Sequence, residues 1–213
     1  MSDTRARLLA AAATAVREDG AAAASARTIA ARAGVNQALV FYHFGTVSEL
    51  VEAACGLAVD EAAGHYRREF AEVTSLTGLL EVGRALNARE RATGNVAMMA
   101  QLMSGAPHDP VLAKASRYAM DVWAAELEPV LERLLAGSPL AEIVDVPGLT
   151  RALSASFIGL QLYEDVDPDA AARALVSLER LAVLVDVVND LGPVTRRAVR
   201  SRLRGRRGSA SSG

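Results

Sequence analysis

The sequence predicts an all-α protein with an N-terminal three-helix head and a larger helical body. Apolar residues recur at helical spacing along most of its 213 residues, and no segment shows the sustained alternation expected of strands. Ser, Thr, Asn and Asp precede several apolar stretches as helix caps, and some of those stretches open on proline. With 51% hydrophobic residues, the chain is long and apolar enough to bury a sizeable core in one or two domains.

The head begins with a helix predicted over Thr4–Asp19, which ends at Gly20. Two short helices follow, over Ala26–Ala33 and Gln37–Phe44, and the first helix is expected to brace them. The buried face of the first helix is predicted to carry the apolar residues that fall on one stripe, which are Leu8, Leu9, Ala12 and Val16.

The stretch Ser25–Phe44, SARTIAARAGVNQALVFYHF, has the pattern of a helix-turn-helix. Gly34 can adopt a positive φ at a helix end without a Cβ penalty. Ser25 and Asn36 each precede a helix as an N-cap, whose side chain accepts a hydrogen bond from a free amide. The helix crossing, the turn and the small core are predicted to use Ala30, Gly34, Val35 and Val40.

Beyond Gly45 the chain is a succession of helices. Thr46 and Glu49 form a capping box for a fourth helix that runs to about Val73. Pro129 lies inside a later helix, where a kink or break is expected. The remaining helices are predicted near residues 76–92, 95–104, 109–136, 146–166, 168–190 and 193–205, and residues 208–213 are expected to be a disordered tail.

Charge is distributed unevenly, although the net charge is only −2. Residues 1–47 carry five arginines against three carboxylates, whereas residues 48–195 carry 11 basic and 22 acidic side chains. Residues 196–207 carry seven arginines. A mildly basic head, an acidic body and a very basic tail fit a protein of which only part meets a polyanion. The tail has two interpretations, a contact with DNA or a solvated basic face that covers the acidic body.

Several classes of site are not expected. Cys55 is the only cysteine, which excludes an internal disulfide and a cysteine-cluster metal site and favours a reducing cytoplasm. No apolar run reaches the roughly 20 residues of a membrane span, so no membrane partner is expected. The histidines are scattered, and there is no H-E-x-x-H pair, glycine-rich phosphate loop or nucleophile elbow. We therefore expect neither an enzyme nor a bound metal or cofactor.

The head resembles that of the TetR family of transcriptional regulators, with a first helix of the form R-x-x-[IL]-L-x-A-A that ends in glycine. The resemblance implies a homodimer that binds double-stranded DNA, usually as a repressor, in the major groove of a pseudo-palindromic operator. It also implies a body that holds a small-molecule effector and releases DNA when the effector binds. The matching residues are Arg5, Leu8, Leu9, Ala11, Ala12, Gly20, Ser25, Arg27, Ile29, Ala30, Ala33, Gly34, Val35, Val40, His43, Phe44, Ser48, Glu49 and Leu50.

Three positions depart from the family pattern. Phe41 stands where the family commonly has a tyrosine whose hydroxyl meets a phosphate, and Val47 where a lysine often opens the fourth helix. Leu39 replaces a small hydroxyl residue, which leaves an apolar group able to meet a thymine methyl. With two phosphate anchors missing, electrostatic attraction to DNA is assigned to Arg5, Arg27 and Arg32.

The DNA-binding residues are expected on the third helix and at helix starts. Gln37 can pair bidentately with N6 and N7 of adenine, while Tyr42 and His43 can reach phosphates or base edges. The alternative for Tyr42 and His43 is that they only pack on the first helix. The whole predicted interface comprises Ser25, Arg27, Thr28, Asn36, Gln37, Ala38, Leu39, Phe41, Tyr42, His43 and Thr46.

The body is expected to hold the effector among polar or polarizable side chains inside apolar helices. Methionine and aromatic side chains line adaptable pockets, and a buried indole N–H or amide needs a partner. The pocket is predicted at Met99, Met103, Tyr118, Trp123, Phe157 and Gln161, with plain core packing as the alternative.

The helices at 146–166 and 168–190 are predicted to pair with their copies in a second subunit, because one helix-turn-helix reads too few base pairs alone. The interface is predicted at Leu153, Phe157, Leu160, Leu178, Leu181 and Val185, with a plain core role as the alternative. Residues 1–47 are thus assigned to DNA binding and 48–207 to ligand binding and dimerisation. The other functions considered are a regulator that activates or has no ligand, and a helical module whose head binds a protein.

Overall fold

The computed structural model describes residues 3–210, and for residues 22, 142, 200 and 203–210 it describes the backbone alone. This range is all-α, as the sequence predicts, and no helix in it is long and apolar enough to cross a bilayer. Two short 3-10 helices lie at Ala21–Ala23 and Pro139–Glu142. The α-helices are α1 Asp3–Asp19, α2 Ala26–Ala33, α3 Ala38–Phe44, α4 Val47–Glu72, α5 Leu76–Ala92, α6 Asn95–Gly105, α7 Pro110–Leu135, α8 Val146–Glu164, α9 Pro168–Asn189 and α10 Pro193–Ala210.

The local signals for helix starts and ends act as predicted in most places. Asp145 and Asp167 accept hydrogen bonds from the amides of Gly148 and Ala170, and each is followed by a proline in the first turn. Two details differ. α7 continues through Pro129, so of the expected kink or break the break does not occur. α10 extends to Ala210, so residues 208–210 of the expected disordered tail are helical. Residues 211–213 lie outside the described residues.

The chain divides into two packing units. The first contains the residues up to His65 together with Asn87–Val122, and the second contains Tyr66–Leu86 and the residues from Trp123 onward. These units are defined by packing alone, and the predicted division of function at residue 47 stays a prediction.

The core of the first unit holds the three head helices against the start of α4. Its members are nearly or completely buried, so each removes most of its apolar surface from water. They include Leu8, Leu9 and Ala12 of α1, Ile29 and Ala30 of α2, Val40 of α3 and Leu50 of α4. Val16, predicted on the same stripe of α1, is also fully buried but belongs to a neighbouring cluster with Val51, Cys55, Met98 and Leu102.

A polar chain of three residues accompanies that second cluster and links α6 to the end of α1. Arg17 donates from Nε and Nη2 to Oδ1 of Asn95, at 3.1 and 2.8 Å. Asn95 in turn donates to Oε2 of Glu90 at 2.5 Å, and Glu90 is buried. α6 is therefore fastened to the last turn of α1 by both apolar and polar contacts.

The second unit has its own core of Tyr66, Phe70, Val73, Leu79, Leu86, Val130 and Leu131. Asp186 of α9 caps α5 from a distance in sequence, accepting from the amides of Leu76 and Thr77 at 2.9 and 3.0 Å and from the Thr77 hydroxyl at 2.8 Å. Desolvation pushes the pKa of Asp186 upward, but these hydrogen bonds outweigh it and hold the pKa below its usual value.

Candidate nucleic-acid interface

The turn between α2 and α3 has the geometry that the sequence predicts. Gly34 ends α2 in the left-handed conformation, with φ of 63° and ψ of 40°. Val35 donates from its amide to the carbonyl of Ala30 at 3.0 Å, which closes the turn. Arg7 of α1 donates to the carbonyls of Ala33 and Gly34, at 2.5 and 3.1 Å. The turn is therefore stabilised both by its own backbone hydrogen bond and by the Arg7 side chain, and it sets the direction of α3.

The caps predicted at Ser25 and Thr46 form, and they engage the hydroxyl groups of Ser25, Thr28 and Thr46 that were assigned to DNA. α3 begins at Ala38, one residue later than predicted, with Gln37 at the N-cap position. Ser25 Oγ accepts from the amide of Thr28 at 3.2 Å, and Thr28 Oγ1 accepts from the amide of Ser25 at 3.0 Å. Asn36 Oδ1 accepts from the amide of Ala38 at 2.8 Å. Thr46 Oγ1 accepts from the amide of Glu49 and donates to its carboxylate. These side chains fix the ends of α2, α3 and α4.

The outward face of α3, together with the residue directly before the helix, forms a surface that we call the α3 surface. It consists of Gln37, Ala38, Phe41 and Tyr42, which are all exposed. Residues spaced by one, four and five positions lie on one side of a helix, so the four form a single surface. Phe41 and Tyr42 are 48% and 80% exposed, unusually high values for large aromatic residues. The alternative that Tyr42 only packs on the first helix is therefore wrong.

Leu39 does not lie at the centre of this surface. It is half-buried and packs against the head core, next to the fully buried Val40. The apolar group best exposed on α3 is instead Phe41, which the sequence presents only as a missing phosphate anchor. Nothing in the local pattern distinguishes the two, since only the docking of α3 on α1 decides which residue faces outward.

His43 and Phe44 lie at the far end of α3. The imidazole of His43 is half-buried and makes edge contacts with the rings of Tyr42 and Phe44, at centroid distances of 5.0 and 6.4 Å. The guanidinium of Arg5 lies 5.0 Å from the centre of the Phe44 ring, a cation–π contact. Arg5 is thus held beside α3 by the aromatic cluster.

The arginines of the head differ in how far their charge is compensated. Arg32 pairs with Glu18 and Asp19, the second at 2.9 Å between Nη2 and Oδ2. Hydrogen bonding to Glu18 raises the pKa of Arg32 further. Arg27 is exposed on α2 and has no ion pair with any described residue. Of the three arginines assigned to DNA attraction, Arg27 is the one best placed to provide it, and Arg32 is a poor candidate.

The predicted effector residues fall in both packing units. In the first unit Met99 is buried, whereas Met103 and Tyr118 are exposed, and the Tyr118 hydroxyl donates to Asp60 Oδ1 at 2.8 Å. That hydrogen bond raises the pKa of Tyr118. In the second unit Trp123 and Phe157 pack against the core, and Gln161 is buried. A cleft of about 520 Å³ in the second unit is lined by other residues, Gly137, Leu191, Pro193, Arg196 and Arg197.

The residues predicted for dimerisation divide into two groups. Leu153 and Phe157 pack against the core of the second unit, while Leu160, Leu178 and Val185 are half-buried. Leu181 is 58% exposed. The sequence prediction missed a second apolar stripe on α9, whose members are 44–60% exposed; it consists of Val176, Val183, Leu184 and Val187. Successive members are separated by seven, one and three residues, which places them on one helix face. The pattern was therefore present in the sequence, but α9 is apolar on both sides, so the pattern did not show which side is exposed.

The described residues contain no group of three or more His, Cys, Asp or Glu side chains placed to hold a metal ion. Cys55 is buried among apolar residues, and burial, opposed by the charge of Arg17, raises the pKa of its thiol to about 12. The thiol is therefore protonated and inert at neutral pH.

The head matches a known family, and the whole fold is similar to several solved structures. Residues 8–54 match the family model described as bacterial regulatory proteins, tetR family. No curated protein sequence matches the chain. Among solved structures, a protein from Rhodococcus described as a TetR-family transcriptional regulator has a TM-score of 0.70 at 23% identity, covering 85% of this chain and 100% of that chain.

Two further structures are similar. A TetR transcription regulator from Haloarcula marismortui has a TM-score of 0.66 at 19% identity and covers 87% of this chain and 99% of its own. The multidrug binding protein EbrR, complexed with imidazole, has a TM-score of 0.56 at 24% identity and covers 84% of this chain and 96% of its own. At these identities the structural likeness establishes the fold.

Proposed function

We propose that this chain, whose residues 8–54 match the tetR family of bacterial regulatory proteins, works as a homodimeric repressor that leaves its operator when a small molecule binds the helical body. The family is one of DNA-binding regulators and not of enzymes. The observation that carries the proposal is the α3 surface of Gln37, Ala38, Phe41 and Tyr42, which is exposed on a head whose turn and caps are fully formed.

On DNA, α3 enters the major groove and the start of α2 faces the phosphate backbone. The side-chain amide of Gln37 has no hydrogen-bond partner among the described residues and is available to a base edge. The amide of Arg27 in the first turn of α2, together with its exposed guanidinium, is available to a phosphate. Ser25, Thr28, Asn36 and Thr46 support this contact mainly by holding the helix ends in place.

Dimerisation is assigned to α8 and α9. Four neighbouring apolar side chains are exposed on α9, namely Val176, Val183, Leu184 and Val187. A contiguous exposed apolar patch of this kind marks an interaction site. α8, which packs on α9, also exposes small residues that permit close approach of another helix, namely Ala152, Ala155, Ser156 and Gly159. A second copy related by a two-fold axis would bury both surfaces and present two recognition helices to a palindromic site.

The effector response is assigned to contacts within the first unit that reach the head. The first half of α7 is fastened to α4 by Lys114 with Glu52 at 2.7 Å and by Tyr118 with Asp60, and α6 is fastened to α1 through Arg17, Asn95 and Glu90. A shift of α6 or α7 therefore moves helices of the head directly. Two recognition helices must lie about 34–36 Å apart to meet successive half-sites, so a small rotation suffices for release. The relative EbrR, a multidrug binding protein, supports a small-molecule effector.

The test is a gel shift with the full-length protein on the promoter region of its own gene. Gln37→Ala and Tyr42→Ala are each expected to weaken binding by about tenfold to a hundredfold, because each removes a contact to a base or phosphate. Leu57→Ala, which trims another exposed apolar side chain on α4, is the control and should bind normally. Unchanged binding in both α3 variants, with helicity retained, would assign DNA contact to some other surface.

A further inference from the structure

The α3 surface contains no arginine or lysine, the side chains that most often read guanine. The commonest specific contact to guanine is a bidentate pair from arginine or lysine to O6 and N7. Residues 36–44 include neither residue type, and the nearest arginine in sequence, Arg32, is engaged with Glu18 and Asp19. Gln37, directly before α3, is the residue of the α3 surface whose side-chain amide offers the paired donor and acceptor that adenine requires.

The rest of that surface is apolar at its centre. Ala38 and Phe41 lie between Gln37 and Tyr42 around the helix, and both are exposed. Phe41 is not among the residues that pack against the head core, although its neighbours Leu39, Val40 and Phe44 are. A phenylalanine in this position therefore leaves about half of its surface in water in the free protein.

The apolar group on the major-groove edge of a base pair is the C5-methyl group of thymine. Ala38 and Phe41 match this group in polarity, and Gln37 matches the adenine with which thymine pairs. We propose that α3 selects A·T pairs in the centre of each half-site, with Phe41 and Ala38 contacting thymine methyl groups and Gln37 contacting adenine. This inference rests on the proposed function, since it requires that α3 enters the major groove.

The assignment differs from what the sequence alone indicates. There, Leu39 is the candidate for the thymine methyl contact and Phe41 is a lost phosphate anchor. In the structure Leu39 faces the core and Phe41 faces outward, so the apolar contact moves by two residues. Phe41 accordingly becomes a determinant of specificity.

The experiment starts with selection of bound DNA from a random pool by the full-length protein. The selected half-sites should contain thymine and adenine at the positions that Phe41→Ala and Gln37→Ala variants cease to select. Each selected thymine is then replaced by deoxyuridine, which removes the methyl group and nothing else. Losing one buried methyl should weaken binding by about fourfold per half-site.

The deoxyuridine penalty is expected to disappear in Phe41→Ala and to persist in Leu39→Val, which trims the residue that packs on the core. A penalty of equal size in the parent protein and in Phe41→Ala, or a half-site centre of G·C pairs, would overturn the inference while leaving DNA binding intact. Recovery of no specific sequence at all would instead overturn the proposed function, and this inference with it.

Discussion

At the scale of single residues, hydrogen bonds within the head decide how much positive charge is available to DNA. Arg32 pairs with two carboxylates of α1, and Arg7 donates to the carbonyls at the end of α2. Both arginines stabilise the head and are poorly placed for phosphates. Arg27 has no such partner among the described residues. The head therefore approaches DNA with few free cations, so the salt dependence of its binding should be shallow.

Replacing Arg27 with alanine should reduce that salt dependence. Each neutralised phosphate contributes about 0.9 to the slope of log affinity against log salt, so the loss of one contact per head should lower the slope by about 1.8 in a dimer. The measurement is operator affinity across a salt series. Arg32→Ala is the matched control and should change the slope by less than half as much. Equal changes in the two variants would contradict the distinction between these arginines.

Asp186 provides a residue-scale test of stability. Its pKa is lowered in the folded protein, so its contribution is present above the ordinary carboxyl pKa and is lost as pH falls below about 4. Asp186→Asn should lower the free energy of unfolding by about 1–2 kcal/mol at pH 7, because the amide caps α5 less well. The deficit relative to the parent protein should shrink with acidification.

Chemical denaturation between pH 3 and 7 measures this deficit. Asp190→Asn is the control. It removes the same charge four residues away, at an exposed position where the side chain caps no helix. It should change stability by less than about 0.5 kcal/mol. A deficit that does not depend on pH would show that the Asp186 carboxylate acts only through packing.

At the scale of helices, α6 matters because it is the element that contacts the end of α1 through both apolar and polar side chains. Met98 and Leu102 are buried with Val16, and Asn95 bridges Arg17 to the buried carboxylate of Glu90. A buried carboxylate is costly without hydrogen bonds, so this chain of contacts favours one position of α6 on α1. Movement of α6 would be transmitted to the head by these residues.

Asn95→Ala should lower the free energy of unfolding by about 1–3 kcal/mol, because Glu90 then loses a buried hydrogen-bond donor. Thermal or urea denaturation measures the effect. Arg67→Ala is a suitable comparison, since Arg67 pairs with Glu126 while its own side chain is 70% exposed. That surface pair should contribute less than about 1 kcal/mol. A larger effect from Arg67 than from Asn95 would refute the importance assigned to the α6 contact.

At the scale of the whole molecule, the exposed apolar stripe of α9 is the feature that one chain alone leaves unexplained. Leu184 is 60% exposed, and Val176, Val183 and Val187 lie beside it on the same helix face. Two copies that bury this stripe would also bring two heads to one operator. Affinity for DNA and association of the protein are thereby linked, since a monomer reads only one half-site.

Leu184→Glu should yield a folded monomer, because the interface would have to bury an unpaired carboxylate. Such a charge typically costs 3 kcal/mol or more, which is at least about a 100-fold loss in dimer affinity. Analytical ultracentrifugation measures association, and circular dichroism checks the fold. Leu57→Glu, on α4, carries the same change at another exposed leucine and should remain dimeric. A dimeric Leu184→Glu would place the interface elsewhere.

The sequence by itself determined the helices, the turn and the caps. The roles of these residues follow from local chemistry, because they bond to residues two to four positions away; they are Gly34, Ser25, Asn36 and Thr46. The stripe of α1 was also predictable, because its opposite side is polar or small. These local features were sufficient to identify the three-helix head and its family resemblance.

Only the tertiary structure decided which of two apolar faces is turned to solvent. On α3 it placed Leu39 against the core and Phe41 outward, and on α9 it exposed Val183 and Leu184. It also paired Arg32 with α1 and left Arg27 exposed. The physical reason is that helical periodicity specifies which residues share a face, whereas the choice of buried face depends on neighbouring helices that are distant in sequence.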